Sequence, residues 1–422
     1  MRFSLVLVAA LASPAAAGGL TLPVQGVRSL ERAGAFVAGA DDADALWLDP
    51  AGLAHAVGQG HQLLLFDVAY VYQPVTYTAA PGNAQGNQQP GSPAPQLAAA
   101  YGVSDRLVIG AGLATPYVTL ARYDAAGPAR YASTSTAGST FVRLAIGAAY
   151  AVSPSLRVGA TLQDHVTFLK HELVASACPP QMTCDRSYDL PMAIDETDYL
   201  SPSGSLGVQL DASPAFTIGA LVQAPVRVSA AGKVTVTPPP AIANAMVTGN
   251  GVRESFWLPP VVRAGVEWHT PALRVEAALD VELWSLHDAI DIEPDHVSLG
   301  ATPLRAVTIP RNFRTSLSPA LGVEWHTGPM QIGGGVAYET SAVAPSYVSV
   351  LTVDAPKLLV TAGGGYAADG WQIAAAIGYA RLSEVEVADP KVPVLEPLGG
   401  TASPINGGTY RAYDLVAGLR LA

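Results

Sequence analysis

Apolar and polar residues alternate along most of the chain, in segments of about ten to fifteen residues. Between 273 and 284 the odd positions are all aliphatic, and the even positions are mostly polar, small or charged. Between 141 and 150 the even positions carry Val, Leu, Ile, Ala and Tyr. A period of two predicts β-strands whose two faces meet different surroundings. We therefore expect an all-β protein.

Tight turns and long connections join these segments alternately. Gly, Pro, Asp and Ser residues predict tight reversals at 104–105, 153–155, 212–214, 270–271, 327–329 and 369–370. The long connections are rich in Pro, Gly, Ser, Asn and Asp and cover 74–94, 117–138, 170–200, 230–254, 288–311, 341–353 and 385–407. Six turns and seven loops join fourteen strands. Short turns on one side and long loops on the other are typical of an antiparallel transmembrane β-barrel, and soluble sandwiches rarely segregate their loops this way.

Assigning the aliphatic positions to lipid leaves a polar lumen. A charge that faces lipid at the bilayer midplane costs about 2–4 kcal/mol, so the polar strand residues should point inward. They are Arg143, Arg157, Gln209, Arg227, Arg263, Glu267, Arg274, Glu276, Asp280, Glu282, Arg314, Glu324, Asp414 and Arg420. Aromatic residues near the strand ends suit the membrane interfaces, and they are Tyr70, Tyr72, Trp257, Trp268, Trp284, Trp325 and Trp371. Asp164 falls on the outward parity, which predicts a bulge or a strand end there.

Composition supports a membrane protein without helical spans. Half of the residues are hydrophobic and only 14% are charged, with a mean hydropathy of +0.28. No apolar run approaches the length of a membrane-spanning helix, which leaves the barrel. The net charge of −11 argues against a nucleic-acid partner, which would require a basic surface.

The first sixty residues differ from the rest. A basic start at Arg2, an apolar run over 3–12 and an Ala-x-Ala site predict a secretory signal peptide at 1–17. Residues 18–60 do not alternate and precede the first strand, which suits a plug, or hatch, folded into the lumen. The barrel should then occupy 61–422.

The residues that could carry other chemistry are few. In an exported protein, Cys178 and Cys184 predict a disulfide. A metal site is less favoured because no His accompanies the pair at ligand spacing. Asp41-Asp42-Ala43-Asp44 lacks the glycine and the terminal Glu of a calcium loop, so we expect a solvent-facing turn. No G-x-S-x-G motif occurs and no Ser is placed beside a His–Asp pair, although His165 and several Ser residues are present. We predict neither an enzyme nor a cofactor.

Several motifs resemble the FadL/TodX family of outer-membrane transporters. The stretch from Arg32-Ala33-Gly34 through Asp41-Asp42 to Asp49-Pro50-Ala51-Gly52-Leu53 is similar to the family's hatch, with Asp49 in place of the usual Asn. Later matches, in the family's order, are Thr115-Pro116-Tyr117, Tyr123, Arg130-Tyr131, Leu258-Pro259-Pro260, Asp280, Leu283-Trp284-Ser285, Arg311-Asn312-Phe313-Arg314-Thr315, Gly335-Val336-Ala337-Tyr338 and Gly364-Gly365-Tyr366.

The resemblance implies a fourteen-stranded barrel with a short, partly helical N-terminal hatch in its lumen, in the outer membrane of a Gram-negative bacterium. It implies passive transport of hydrophobic molecules, by default long-chain fatty acids, through a lumenal pocket. Movement of the hatch and a kink in the third strand would let the molecule leave sideways. Expected partners are membrane lipid, lipopolysaccharide, the apolar substrate and the barrel insertion machinery, with a monomeric chain. Monoaromatic hydrocarbon uptake, a polar-solute porin and a surface-structural or adhesin barrel are the alternatives.

A fatty-acid carboxylate would require a cation in the pocket, preferably an arginine because of its bidentate fork. By parity Arg143, Arg263 and Arg314 point inward, and Lys357 begins a strand. Each could instead form an ion pair with a lumenal acid. The apolar candidates are Leu20, Leu22, Phe36 and Val37 in the hatch and Phe141 in the lumen.

Overall fold

The computed structural model describes residues 25–79, 82–117, 121–180, 182–399 and 403–422. The predicted signal peptide, together with Leu20 and Leu22, lies outside the described residues. Three short α-helices form near the N-terminus: α1 (Val27–Glu31), α2 (Ala45–Leu48) and α3 (Leu53–Ala56). Single 3-10 turns cover Pro50–Gly52, Arg186–Tyr188, Pro240–Ile242, Trp284–Leu286 and Pro345–Tyr347.

Strands account for most of the remaining chain. In the first half they are β1 (Gln62–Tyr72), β2 (Val75–Ala79), β3 (Asn83–Gly86), β4 (Gly91–Gly102), β5 (Leu107–Ala114), β6 (Thr140–Ala151), β7 (Leu156–Ser176), β8 (Asp189–Asp198), β9 (Pro202–Ser213), β10 (Phe216–Gln223) and β11 (Val226–Val236). The second half contains β12 (Val247–Thr248), β13 (Gly251–Leu258), β14 (Val261–His269), β15 (Leu273–Glu282), β16 (Ala289–Asp295), β17 (Ser298–Leu299), β18 (Thr302–Pro303), β19 (Val307–Pro310), β20 (Ser316–Thr327), β21 (Met330–Glu339), β22 (Lys357–Ala368), β23 (Trp371–Leu382), β24 (Val385–Val387) and β25 (Gly408–Leu421).

Within the described ranges, these segments form a closed barrel of fourteen antiparallel strands, as predicted. Seven barrel strands consist of two segments each: β1 with β2, β8 with β9, β10 with β11, β13 with β14, β15 with β16, β19 with β20, and β23 with β24. The barrel closes where β1 pairs with β25, from Phe66↔Leu421 to Tyr72↔Leu415. The six tight turns lie at the predicted positions, all at one rim. Closure satisfies the backbone polar groups that a bilayer cannot hydrate.

Two of the two-part strands change which residues face inward where proline interrupts them. In β10 the odd positions, such as Thr217, are buried, whereas in β11 the even positions are buried. Ala224-Pro225 separates the two segments, and Pro259-Pro260 separates β13 from β14 with the same effect. Proline cannot donate to the ladder, so the pairing is interrupted there. Below the interruptions the lumen is polar, and above them it is lined by apolar side chains.

Three sequence predictions are wrong. Arg227 follows Pro225 and is exposed on β11. Arg314 lies in the link between β19 and β20, which is not a strand, and is exposed as well. Trp284 begins a 3-10 turn and is fully buried inside the barrel, not placed at an interface.

Asp164 lies at a strand irregularity, as predicted. Here β7 changes its partner, because pairing with β9 ends at Asp164↔Pro202 and pairing with β8 begins at Thr167↔Asp198. The Asp164 carboxylate accepts the backbone N–H of Ser201 at 2.9 Å. The carboxylate therefore serves the irregular backbone and does not face lipid unpaired.

The cysteine pair lies in the loop between β7 and β8. The structure places the sulfur atoms of Cys178 and Cys184 at bonding distance, 2.06 Å apart. None of the helices in the described ranges is long and apolar enough to cross a membrane.

Because the outward face of the barrel contacts lipid, a charge introduced there should lower the free energy of unfolding by an amount that depends on its depth in the bilayer. Leu162 on β7 is 71% exposed in the lipid-facing band, so Leu162→Arg should lower the free energy of unfolding by about 2–4 kcal/mol. Met246, 70% exposed in the loop between β11 and β13, provides the control, and Met246→Arg should change it by less than about 0.5 kcal/mol. Reversible urea unfolding in lipid vesicles measures both, and equal losses would contradict this orientation.

Candidate functional site

The hatch, described here over residues 25–60, packs closely against the inner wall of the barrel. Glycines on the wall permit this approach, because a β-carbon at Gly159 would collide with Pro50 and one at Gly207 would collide with Asp49. These two glycines lie on the neighbouring strands β7 and β9. The motif Asp49-Pro50-Ala51 is therefore held against this part of the wall.

Glu276, on the inner face of β15, binds the hatch backbone directly. Its carboxylate accepts the N–H groups of Val37 at 2.7 Å, Ala38 at 2.9 Å and Gly39 at 2.9 Å. The guanidinium of Arg32 lies 3.2 Å from the same carboxylate. One buried wall acid thus fixes three consecutive peptide groups of the hatch.

Further ion pairs connect the hatch to the adjacent wall strands β14, β15 and β20. They join Arg28 to Glu324 (2.8 Å), Arg32 to Glu267 (2.6 Å), and Asp41 to Arg274 (2.6 Å). Because these groups are largely buried, removal of one partner would leave an uncompensated charge in the lumen. The network holds the hatch in one position.

Arg420, on the last strand, makes a second connection. It binds Asp42 at 2.8 Å, Asp67 at 2.7 Å and Asp44. Asp67 in turn accepts the backbone N–H of Val27 at 2.7 Å. The prediction of a solvent-facing turn at 41–44 is therefore wrong, since its acids bind barrel arginines. No group of side chains in the described part of the chain could hold a metal ion.

Asp49 begins the Pro50–Gly52 turn and is fully buried. One of its carboxyl oxygens accepts the N–H of Ala51 at 3.0 Å, and the other has no partner among the described residues. Burial raises the pKa of the Asp49 carboxyl to about 8. Below that pH the group is mostly protonated and close in shape to the asparagine usual at this position.

Above the hatch, an aromatic cluster lines the upper lumen. Tyr117 lies 5.9 Å from Phe141 and 6.5 Å from Trp284 between ring centres. Phe256 lies 6.5 Å from Phe141, and Phe313 lies 5.6 Å from Trp284. All five side chains are buried within one apolar core. We call these five residues the aromatic cluster.

Arg143 lies on β6, two residues beyond Phe141 of the aromatic cluster. Its guanidinium is buried, stacks over the Trp47 ring at 4.5 Å, and donates to the side chains of Gln223 (3.3 Å) and Gln25. Its Nε atom has no partner, and no carboxylate within the described ranges forms an ion pair with it. Arg143 is thus a buried cation held by neutral groups.

The other predicted cations are arranged differently. Arg263 binds Asp280 at 2.8 Å, and Lys357 binds Glu339 at 3.1 Å. Arg314 is exposed, whereas Arg311, three residues earlier, is buried. These positions favour Arg143 over the other three as a ligand-binding cation.

Sequence reasoning missed Arg311 as a site residue. Its guanidinium lies 4.7 Å from the Phe313 ring and donates to His287 (3.3 Å) and Thr352. Pro310 ends β19 and was the sequence signal for this position. The alternation of inward and outward residues should not have been extended past it to Arg314.

The predicted apolar residues lie in different places. Phe141 belongs to the aromatic cluster, whereas Phe36 is held between the guanidinium groups of Arg28 (4.8 Å) and Arg32 (5.2 Å) within the hatch. Val37 packs with alanines of the hatch and of β15. The structure therefore does not bring Phe36 and Val37 together with Phe141.

Comparison with known families identifies this arrangement. Residues 8–404 match the family described as outer membrane protein transport protein (OMPP1/FadL/TodX). The chain belongs to this family. Its members are outer-membrane β-barrels of Gram-negative bacteria, and the family is one of transporters of hydrophobic molecules, not a class of enzymes. No curated protein sequence matches the chain.

Solved structures show the same fold at low sequence identity. A FadL homologue of Pseudomonas aeruginosa superposes with a TM-score of 0.81 at 16% identity, covering 96% of this chain and 99% of the other. The toluene transporter TbuX of Ralstonia pickettii gives 0.68 at 17% identity, covering 94% and 98%. The toluene transporter TodX of Pseudomonas putida gives 0.66 at 15% identity, covering 95% and 98%. At such identities these likenesses concern the fold alone.

The environment of Asp49 predicts a pH effect on the hatch. An acid whose pKa is raised on folding contributes less to stability as pH rises from about 4 to about 8. Asp49→Asn should therefore slow hydrogen exchange of the hatch amides relative to the native protein at pH 8, and change it little at pH 4.

Asp185→Asn is the matched control, because Asp185 is exposed in the loop between β7 and β8. It should leave hatch exchange unchanged at either pH. If Asp49→Asn and the native protein differed equally at both pH values, the protonated state of Asp49 would be contradicted.

Proposed function

We propose that this protein transports long-chain fatty acids passively across the outer membrane and that Arg143 receives their carboxylate. The observation that carries the proposal is a buried guanidinium without an acidic partner in the described chain. A buried charge is costly unless it is paired. A carboxylate is the ligand that suits an arginine best, because it can accept two parallel hydrogen bonds.

The surroundings of Arg143 suit the rest of such a molecule. The aromatic cluster begins two residues away at Phe141 and continues upward through Tyr117 and Trp284. Each methylene buried against such a surface contributes about 0.8 kcal/mol. A head group at Arg143 would therefore leave the acyl chain among apolar rings.

The barrel wall next to Arg143 supports a lateral exit. Pairing between β4 and β5 ends at Gln96↔Ala114, whereas β4 pairs with β1 as far as Gly91. Over residues 91–95, β4 thus has one partner among the described strands, and it carries Pro93 and Pro95. The last pair between β5 and β6 is Ala114↔Arg143. The hydrogen bonding between β4 and β5 therefore ends beside Arg143, the residue that would hold the head group.

Uptake of monoaromatic hydrocarbons is the second candidate, and the aromatic cluster favours it. Such molecules would pack among Tyr117, Phe141 and Phe256 without using the Arg143 guanidinium. The two candidates therefore differ in their dependence on one side chain.

Replacement of Arg143 separates the two candidates. We expect Arg143→Met to weaken oleate binding about ten- to a hundredfold, because a charged hydrogen bond is lost. Toluene binding should change by less than about twofold. Titration of the purified protein in detergent measures both, and uptake of labelled oleate and toluene by cells carrying each variant tests transport.

Arg227→Met is the control, since Arg227 is exposed outside the lumen. It should leave the binding of both compounds unchanged. Unchanged oleate affinity in a folded Arg143→Met protein would contradict the fatty-acid proposal. Loss of toluene binding alone would favour the hydrocarbon function.

A further inference from the structure

The lumenal face of β7 carries polar side chains, some of which are hydrogen-bonded and some of which have no partner in the described chain. In its lower part the Thr161 hydroxyl lies 2.7 Å from the Ser205 hydroxyl, and Gln163 donates to Thr161 at 2.9 Å. In its upper part His165 and Thr167 have no accessible surface. Both ring nitrogens of His165 and the hydroxyl of Thr167 are without a hydrogen-bond partner in the described chain.

Such groups are uncommon in folded proteins, because a buried donor or acceptor without a partner loses its interactions with water. On the same strand face the Thr161 hydroxyl is hydrogen-bonded to Ser205, whereas His165 and Thr167 form no side-chain hydrogen bond in the described chain. The upper groups are therefore candidates for contact with a molecule that enters the lumen.

His165 is the direct neighbour of Arg143. The two residues form a cross-strand pair between β6 and β7, which places their β-carbons about 5 Å apart on one face. The His165 ring centre lies 6.4 Å from that of Tyr117 in the aromatic cluster. His165 thus lies beside Arg143 and next to the aromatic cluster.

We propose that His165 is a second head-group residue, which donates a hydrogen bond to the substrate carboxylate bound by Arg143. This inference rests on the proposed function and adds a determinant of specificity to it. An imidazole has at least one N–H donor in each tautomer and when protonated. One carboxylate oxygen would face the Arg143 edge, and the other would face His165.

The consequence is discrimination by head group. A site whose buried donors are satisfied only by a carboxylate disfavours an analogue that lacks it, because the donors stay unpaired. Oleate should therefore bind better than oleyl alcohol, which has the same chain. Arg143 alone would provide part of this preference, and His165 would provide the rest.

Titration of the purified full-length protein with oleate and oleyl alcohol tests the inference. His165→Phe keeps an aromatic ring and removes both nitrogens, so it should weaken oleate binding about tenfold and alcohol binding by less than about twofold. His165→Gln retains a donor and should recover most of the oleate affinity. Thr161→Val, on the same face but with its own partner, should bind both ligands as the native protein does.

The outcomes distinguish the role of His165 from the fatty-acid proposal on which it rests. Native oleate affinity in His165→Phe, together with weakened binding in Arg143→Met, would overturn the role of His165 and keep the fatty-acid proposal. Native affinity in both variants would overturn both. Equal losses of oleate and alcohol in His165→Phe would reduce His165 to a packing residue. A folded barrel changes its electrophoretic migration when it is heated. If the His165→Phe protein did not show this change, it would be misfolded, and His165→Met, with its adaptable apolar side chain, would replace it in the titrations.

Discussion

Ion pairs between the hatch and the barrel wall are the interaction on which this structure depends. A fourteen-stranded barrel is too wide for its own side chains to fill, and the inner face of its lower half is polar and charged. The hatch provides the opposite charges in the required places. Arg28 and Arg32 meet the wall acids Glu324 and Glu267, and Arg420 of the wall meets the hatch aspartates. An apolar cluster of hatch and wall residues, including Leu46, Trp47 and Leu65, packs beside these ion pairs.

The upper lumen is lined by apolar side chains because prolines change which residues of two strands face inward. The interruptions at 224–225 and 259–260 bring Val228 and Phe256 inside, where continued parity would have placed their polar neighbours. Apolar side chains thus lie directly above the hatch. Arg143 lies at the boundary between them, and it binds neutral hatch groups, Gln25 and the Trp47 ring, but no acid in the described chain. A molecule with a charged end and an apolar body matches this boundary.

Local sequence determines the parts of this account that were predictable. Strand number, turn positions and the outward face follow from a period of two and from turn chemistry, which neighbouring residues specify. Arg227 and Arg314 were misplaced because the period was extended across prolines, where the ladder stops. Trp284 was misplaced because an aromatic residue at a strand end was assigned to the membrane interface, whereas the chain turns inward there. The acids of 41–44 were misread as solvated because their partners are hundreds of residues away in sequence. Which arginine lacks an acidic partner, Arg143 and not Arg263, depends on three-dimensional pairing that no spacing encodes. That the chain is monomeric and meets the barrel insertion machinery stays a prediction.

The most direct measurement is a crystal structure of the protein with a fatty acid that carries bromine at its terminal carbon. Anomalous scattering locates the bromine, and the density of the carboxylate locates the head group. The account predicts the carboxylate within hydrogen-bond distance of the Arg143 guanidinium, about 2.7–3.0 Å, with the acyl chain passing the rings of Phe141, Tyr117 and Trp284 and the bromine beyond them. A carboxylate bound elsewhere in the lumen, with Arg143 still held only by Gln25 and Gln223, would contradict it.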